Sequence, residues 1–495
     1  MTSSDRRIAA GLFLLTFVTY AYFFNGGGWN QNAQFDLARA LVERQTLHID
    51  GYRVNTGDIS WSPVSGQWHA YINKPPGVSF LAAIPYALVY AVEHAAHVPV
   101  DQWFWVTLNA WIVTILTCGV TGALIPVLLF EAGRRAQDAA GRTSDSNPSR
   151  PVFRALRPVS AMFIALAMAF GTIAFPFSTM LFAHVPAAFF LLLAFVWLDK
   201  RPLLAGVAAG IAGLCFYICI PAAAVLFIGS WVRSRRNALR FALGGIPFGL
   251  LLGAYHQACF GSPFVTSVET SSDFTEKGLL FGVFRLPSME ALWGLTFSEY
   301  RGLFFVSPIL LLAFVGAVVM VRQRVMRREL FMIAAVAAIF FFTIAGFNGW
   351  SGGGSFGPRY LLPIVPLLGI PLFFVPRRVL LFAGVPLALA ALAMQLAATA
   401  VDPTLHAGIF KPVQTLFADL LAGNTSTNPQ ALDELIPYQR YAHGSHESVW
   451  ASFNVGEFLT GPSNPASILP IVLWIALGSV YLLRRAASAP DRMAE

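Results

Sequence analysis

The chain has 495 residues, 56% of them hydrophobic and only 12% charged, with a formal net charge of +8. Soluble domains carry about 25% charged residues, so the composition excludes an ordinary soluble enzyme. The mean hydropathy of +0.62 instead fits a polytopic membrane protein, whose apolar runs of roughly 17–25 residues cross a bilayer.

The basic excess sits in short clusters between apolar runs, the pattern of the positive-inside rule, and forms no continuous surface for nucleic acid. Arg6 and Arg7 precede the first apolar run, residues 8–24. No small-residue cleavage site follows it, so it reads as a retained anchor. Further basic clusters fall at 134–157, 200–201, 233–240, 322–328, 377–378 and 484–485, and they mark the cytoplasmic side. Consecutive clusters on one side require an even number of spans between them. Three apolar runs separate Arg7 from Arg134, at 8–24, 78–92 and 103–130. The run 78–92 is short, contains Pro85, and is flanked by Pro75, Pro76, Glu93 and His94. It reads as a juxtamembrane or re-entrant helix. The other runs alternate across the membrane. The expected fold is an all-α bundle of about twelve spans with outer juxtamembrane helices and both termini inside. Its outer segments are 25–102, 260–301, 348–359 and 401–465.

In the first outer segment, residues 33–47 have helical periodicity. Leu37, Ala40, Leu41 and Leu47 make an apolar stripe, and Asp36, Arg39 and Glu43 lie on the other face. Such a helix would lie flat at the membrane interface. Asp36 then either pairs only with Arg39 or faces a cleft, where an ionisable residue is functional. Asp58 ends the turn sequence Asn55-Thr56-Gly57-Asp58, as a local Asx turn or a substrate contact. Asn73-Lys74-Pro75-Pro76-Gly77 follows. The prolines impose an extended turn and delay the next helix. Lys74 is thereby held at headgroup height, where a lysine snorkels or binds phosphate as a point charge. His69 and Tyr71 are candidate wall residues, with His69 read so in preference to a metal ligand.

Later outer segments add candidates. His184 follows the apolar run 159–182. Glu299 and Arg301 stand in Ser298-Glu299-Tyr300-Arg301-Gly302. The segment 348–359 holds Gly352, Gly353, Gly354 and Gly357, which permit close backbone approach and amide contacts to anions, or simply a flexible connector. Arg359 ends that segment against the positive-inside bias. It needs an anionic partner, either a lipid phosphate or an acidic side chain. Tyr360 follows it. The segment 401–465 mixes Asp402, Asp419, Asp433, Glu434, Glu447 and Glu457 with Tyr438, Tyr441 and Trp450, which suits acceptor binding or a folded lid. The four cysteines lie in or beside apolar runs without a CxxC, so disulfide and zinc readings are weak.

This pattern resembles the GT-C glycosyltransferases, the superfamily of dolichyl-phosphate-mannose protein mannosyltransferases and bacterial aminoarabinose lipid A transferases. Asp36 in Gln34-Phe35-Asp36-Leu37 matches the acid that follows the first span, and Lys74-Pro75-Pro76 matches the Lys-Pro ending the same loop. Asn55-Thr56-Gly57-Asp58 and Ser355-Phe356-Gly357-Pro358-Arg359-Tyr360-Leu361 resemble bacterial membrane proteins of this type. Two positions depart from the pattern. Leu37 stands where the mannosyltransferases have Glu after Asp, and His184 stands where the aminoarabinose transferases have a second outer acid.

The resemblance implies an inverting glycosyltransferase in the bacterial inner (cytoplasmic) membrane, with its active site on the periplasmic face. It would move a hexosyl or pentosyl group from a polyprenyl-phosphate donor to a lipid, glycan or protein acceptor. Asp36 would be the base, and Lys74 and Arg359 would hold the leaving phosphate. Asp58, His69, Tyr71, His184, Glu299, Arg301 and Tyr360 are candidate substrate contacts. Residues 1–400 would form the transmembrane module with its catalytic loop at 25–102, residues 401–465 an outer loop or small lid, and 466–495 the last span and cytoplasmic tail. No metal site or cofactor is called for, although a divalent metal stays open. The alternatives are a transporter or flippase of lipid-linked glycans, and a ligase. Transport predicts ionisable residues near the midplane of the spans, where this chain has almost none. The long segment 401–465 keeps the ligase in view.

Overall fold

The computed structural model describes residues 3–64, 66–145, 158–271, 279, 282–426, 452–461 and 464–488. Asp433, Glu434, Tyr438, Tyr441, Glu447, Trp450 and residues 146–157 of the basic segment 134–157 therefore lie outside the described residues.

In chain order, α1 (Ser3–Ala21) leads through β1 (Phe23–Asn25) into α2 (Trp29–Arg39) and a π turn (Ala40–Arg44). A 3-10 turn (Arg53–Asn55) precedes the hairpin of β2 (Ile59–Val64) and β3 (Gln67–Ile72). Next come α3 (Gly77–Ala95), α4 (Trp103–Thr114), a π turn (Ile115–Gly119) and α5 (Val120–Asp145). They are followed by α6 (Pro158–Phe170), α7 (Ala174–Phe177), α8 (His184–Trp197), α9 (Pro202–Cys215), α10 (Cys219–Arg233) and α11 (Arg235–Phe260). A short strand, β4 (Ser452–Asn454), lies near the carboxyl end.

Among the described residues, six helices are long and apolar enough to cross a membrane: Gly77–Ala95, Phe104–Arg134, Arg235–Phe260, Arg327–Ala345, Arg377–Ala400 and Pro465–Ala487. Six shorter apolar helices of 10–17 residues accompany them. Large apolar side chains such as Leu88, Leu250, Phe382 and Leu477 face outward, as a surface solvated by lipid requires. This is a multi-pass membrane fold.

The chain direction is set by a few long-range contacts. Arg134 Nη2 lies 3.6 Å from Asp5 Oδ1 at the start of α1, and Trp111 Nε1 donates to Ala21 O at 3.2 Å at its end. The long helix made from α4 and α5 therefore runs antiparallel to α1. α9 and α11 pack closely through glycines: a Cβ on Gly206 would come within 1.9 Å of Phe241 O, and one on Gly244 within 2.1 Å of Leu203 O. Small residues admit such backbone approach between membrane helices. α10 starts beside Pro221, after the extended residue Phe216, so α9 and α10 are two short helices with a break between them.

The first outer segment differs from expectation in two ways besides the length of α3, which at 19 residues is long and apolar enough to cross a membrane where the sequence predicts a juxtamembrane or re-entrant helix. It is not all helical. β2 pairs antiparallel with β3, with Ile59 opposite Ile72, and Gly66 at the tip takes φ +81°, a conformation glycine adopts without a Cβ clash. β1 also pairs antiparallel with β4, setting Phe23 opposite Asn454. The second difference is the setting of α2. Nine of its eleven residues are buried, including Gln34, Asp36 and Arg39, so it is embedded in protein rather than lying on a lipid surface. α3 covers one side of it. Ser79 Oγ donates to Gln34 Oε1 at 2.6 Å, Tyr86 donates to Glu43, and Asn109 Nδ2 on α4 donates to Glu93 at 2.8 Å.

Candidate active site

Asp36 sits on α2 with 1% of its surface exposed. Its Oδ1 accepts from Asn55 Nδ2 at 3.1 Å, and its Oδ2 is buried with no hydrogen-bond partner among the described residues. Burial pushes its pKa up to about 8, against the opposing effects of the Asn55 hydrogen bond and the Arg39 charge and with some help from Glu43. The expected Asp36–Arg39 ion pair gives way to other partners. Arg39 Nε binds Glu43 at 2.7 Å and its Nη2 binds Asp101 at 2.6 Å. Asp36 is thus a carboxyl group poised near neutrality with one oxygen available, the condition suited to a proton acceptor.

The turn Asn55-Thr56-Gly57-Asp58 connects this acid to Lys74. Asn55 reaches Asp36, and three residues on Asp58 Oδ1 receives Lys74 Nζ at 3.0 Å. Asn73 Nδ2 also points to Asp58 Oδ1, at 3.4 Å, and to Ser271 Oγ at 3.2 Å. Asp58 is therefore the counter-ion of Lys74. The turn is fastened to the start of α2. Thr56 Oγ1 donates to Trp29 O at 2.7 Å, and a Cβ on Gly57 would lie 2.6 Å from the Trp29 ring. Pro75 and Pro76 carry the chain from Lys74 into α3, as the sequence implies.

Arg359 arrives from the glycine-rich segment. Gly352, Gly353 and Gly357 have φ of +78°, +62° and +73°, so these glycines serve a defined path and not mere flexibility. The guanidinium lies 5.1 Å from the Phe182 ring centroid and 5.2 Å from that of Tyr360. Its Nη1 donates to Gly354 O at 3.3 Å, and its buried Nε has no partner. Among the described residues no acidic side chain pairs with it. His184 is packed among Phe182, Phe216 and Tyr360 at 5.0–5.8 Å between ring centroids. Both of its ring nitrogens are buried without partners. Tyr360, over which the Arg359 guanidinium lies, lines the same cavity as Lys74.

Other expected residues go elsewhere. Arg301 is fully buried and props the glycine-rich segment: Nε donates to Ser351 O at 2.9 Å, Nη2 to Gly353 O at 2.8 Å and Nη1 to Tyr300 O at 3.1 Å. Burial lowers its pKa to about 10, with the nearby Arg359 charge adding to that and Tyr300 opposing it. Glu299 is half-buried and makes no hydrogen bond or ion pair with Asp36, Lys74 or Arg359. His69 binds Asp50, with Nδ1 2.7 Å from Oδ2. Tyr71 packs edge-on against Phe260 at 5.6 Å, in a small core with Ile49, Tyr52 and Tyr255. His69 and Tyr71 are therefore not gathered with Lys74 and Arg359.

A cavity of about 940 Å³ opens beside Lys74. Asn73, Lys74, Tyr217, His256, Gln257, Thr266, Glu269 and Tyr360 form polar points on a wall otherwise made of residues such as Phe216, Leu250, Phe284 and Phe347. Its flank along α11 reaches the exposed Leu250. Tyr217 Oη lies 3.0 Å from His256 Nε2. Sequence reading missed Asn55, Tyr217 and His256. The turn motif around Asn55 offered a signal for the first, whereas the other two sit in apolar runs and look like core.

Fold and site together define a multi-pass membrane protein with a buried acid, an ion-paired lysine beside a large cavity, and an arginine without an acidic partner among the described residues. No family model and no curated protein matches the chain. Among solved structures it is similar to ArnT from Cupriavidus metallidurans bound to undecaprenyl phosphate, with 14% identity over 97% of this chain and 77% of that chain and a TM-score of 0.46. ArnT from the same organism in the apo state gives 15% identity over 97% and 76%, again with a TM-score of 0.46. The chemistry of the site is read from this chain's own residues.

Proposed function

We propose that this protein is a GT-C-type inverting glycosyltransferase that moves a sugar from a polyprenyl-phosphate donor to an acceptor hydroxyl at the outer membrane face. One observation carries this reading: a buried Asp36 with an oxygen unpartnered among the described residues is joined through a single turn to Lys74, and Arg359, with no acidic partner among those residues, lies over Tyr360, which lines the same cavity as Lys74. Asp36 accepts the proton of the acceptor hydroxyl, and that oxygen attacks the anomeric carbon from the face opposite the lipid phosphate. The anomeric C–O bond breaks, and the bond electrons leave with the polyprenyl phosphate. Lys74 and Arg359 offset the charge that grows on the leaving phosphate, as donors fixed in a dry site do effectively. Asp58 orients Lys74, and Arg301 holds the glycine-rich segment that delivers Arg359.

The apolar cavity beside Lys74 supports a ligand with a long isoprenoid tail. The ArnT crystal structure described above holds undecaprenyl phosphate, a ligand of that class. The acceptor is a lipid, glycan or protein hydroxyl. The topology that accompanies this reading has about twelve spans in a bacterial inner membrane, with both termini inside and Asp36 on the periplasmic side. The scheme requires no cofactor. Turnover of purified Asp36→Asn on a polyprenyl-phosphate sugar tests it directly. Full activity in a folded variant removes Asp36 as the base.

A further inference from the structure

His48, Asp50 and His69 form a second cluster in the first outer segment, outside the Asp36–Lys74–Arg359 group. The backbone brings them together. Ile49 N donates to Ala70 O at 2.7 Å, and Ala70 N donates to Asp50 Oδ1 at 2.7 Å. The other carboxylate oxygen, Oδ2, lies 2.7 Å from His69 Nδ1 and 3.2 Å from His48 Nδ1. The two imidazole rings stack with centroids 4.5 Å apart and planes 25° from parallel. All three atoms fall within 4.8 Å of one another.

His48 Nδ1 separates two explanations. A simple hydrogen-bonded triad would aim this nitrogen's proton at the carboxylate. Instead the atom is buried and makes no hydrogen bond among the described residues, although it sits 3.2 Å from Asp50 Oδ2. Close polar atoms without a hydrogen bond between them are what ligands of one ion look like. Bonds of about 2.0 Å to a tetrahedral ion place neighbouring ligand atoms roughly 3 Å apart. The side chains are 33%, 32% and 23% exposed, which leaves room for a water as fourth ligand.

We propose that His48, Asp50 and His69 bind a divalent cation of the zinc class. Two imidazoles and one carboxylate suit zinc and its neighbours, whereas calcium and magnesium take oxygen ligands. Coordination through Nδ1 requires each imidazole to carry its proton on Nε2. The ion clips the segment at 48–50 to β3. The first continues into the turn that holds Asp36 through Asn55, and the second continues into Asn73 and Lys74. The metal is thus structural, and the proposal stands independently of the transferase reading. It also revises the expectation that His69 is only a wall residue.

The test uses the full chain in detergent, stripped with chelator and titrated with zinc by calorimetry and by thermal unfolding. One equivalent binds and raises the unfolding midpoint. His69→Ala and, as a second variant at a partly exposed position, His48→Gln each weaken binding by at least about tenfold, the lower bound seen even for outer-shell changes, and abolish the zinc-dependent shift. Absence of saturable binding to the wild-type chain, or equal binding by a folded variant, overturns the proposal.

Discussion

Replacing Asp36 with asparagine should separate activity from stability. The variant keeps the shape of the side chain and an oxygen to accept from Asn55 Nδ2. It loses the proton acceptor, and general-base catalysis contributes about 10²–10⁴-fold, or about 3–5 kcal/mol of barrier. Stability should move the other way. The folded protein holds the Asp36 proton up to about pH 8, whereas the unfolded chain releases it near 3.8. A carboxyl raised in this way leaves the fold at full stability below pH 3.8 and costs stability progressively as pH rises toward 8. At pH 7 that cost is on the order of 4 kcal/mol, at about 1.4 kcal/mol per pH unit. Asp36→Asn carries no such charge, so it should unfold later than wild type at pH 7 and show a flatter dependence between pH 5 and pH 8. Denaturant unfolding in detergent, followed by intrinsic fluorescence, measures the stability effect. Single-turnover transfer from a polyprenyl-phosphate sugar measures the loss of activity. A variant that is active, or one that is less stable than wild type at pH 7 and equally pH-dependent, refutes the reasoning about this residue.

Arg359→Ala removes a guanidinium with an unpartnered Nε and should weaken donor binding by roughly 10–100-fold, the value of one charge-assisted contact; equilibrium binding of polyprenyl phosphate measures it. Lys74→Ala leaves Asp58 largely buried without its cation and should cost about 3–5 kcal/mol of stability, while adding Asp58→Asn should restore most of that without restoring transfer. Arg301→Ala strips donors from the carbonyls of Ser351 and Gly353. It should lower stability by about 1–3 kcal/mol per orphaned group and slow transfer, with Arg301→Lys recovering only part.

Some features follow from local chemistry and are legible residue by residue. Apolar run length and basic clusters mark the spans. Prolines after Lys74 set a turn wherever they occur, and the glycines at 352, 353 and 357 take positive φ because the segment's path demands it. Asp36 stands out as an acid just past an apolar run, and Arg359 as a cation at the end of a glycine-rich segment between apolar runs. The tertiary structure alone decided who partners whom. Asp58 looks like a turn residue but closes on Lys74. Arg301 and Arg359 carry the same charge two segments apart, yet one spends its donors on backbone carbonyls and the other keeps a nitrogen unpaired. His69 turns to Asp50 rather than to the acid-and-cation centre. Asn25 pairs with Ser452 across the whole chain. Local sequence sets backbone preference and hydropathy, which depend on near neighbours. Burial and pairing depend on groups brought together from distant parts of the chain, and those determine both the charge state of Asp36 and the partner of Lys74.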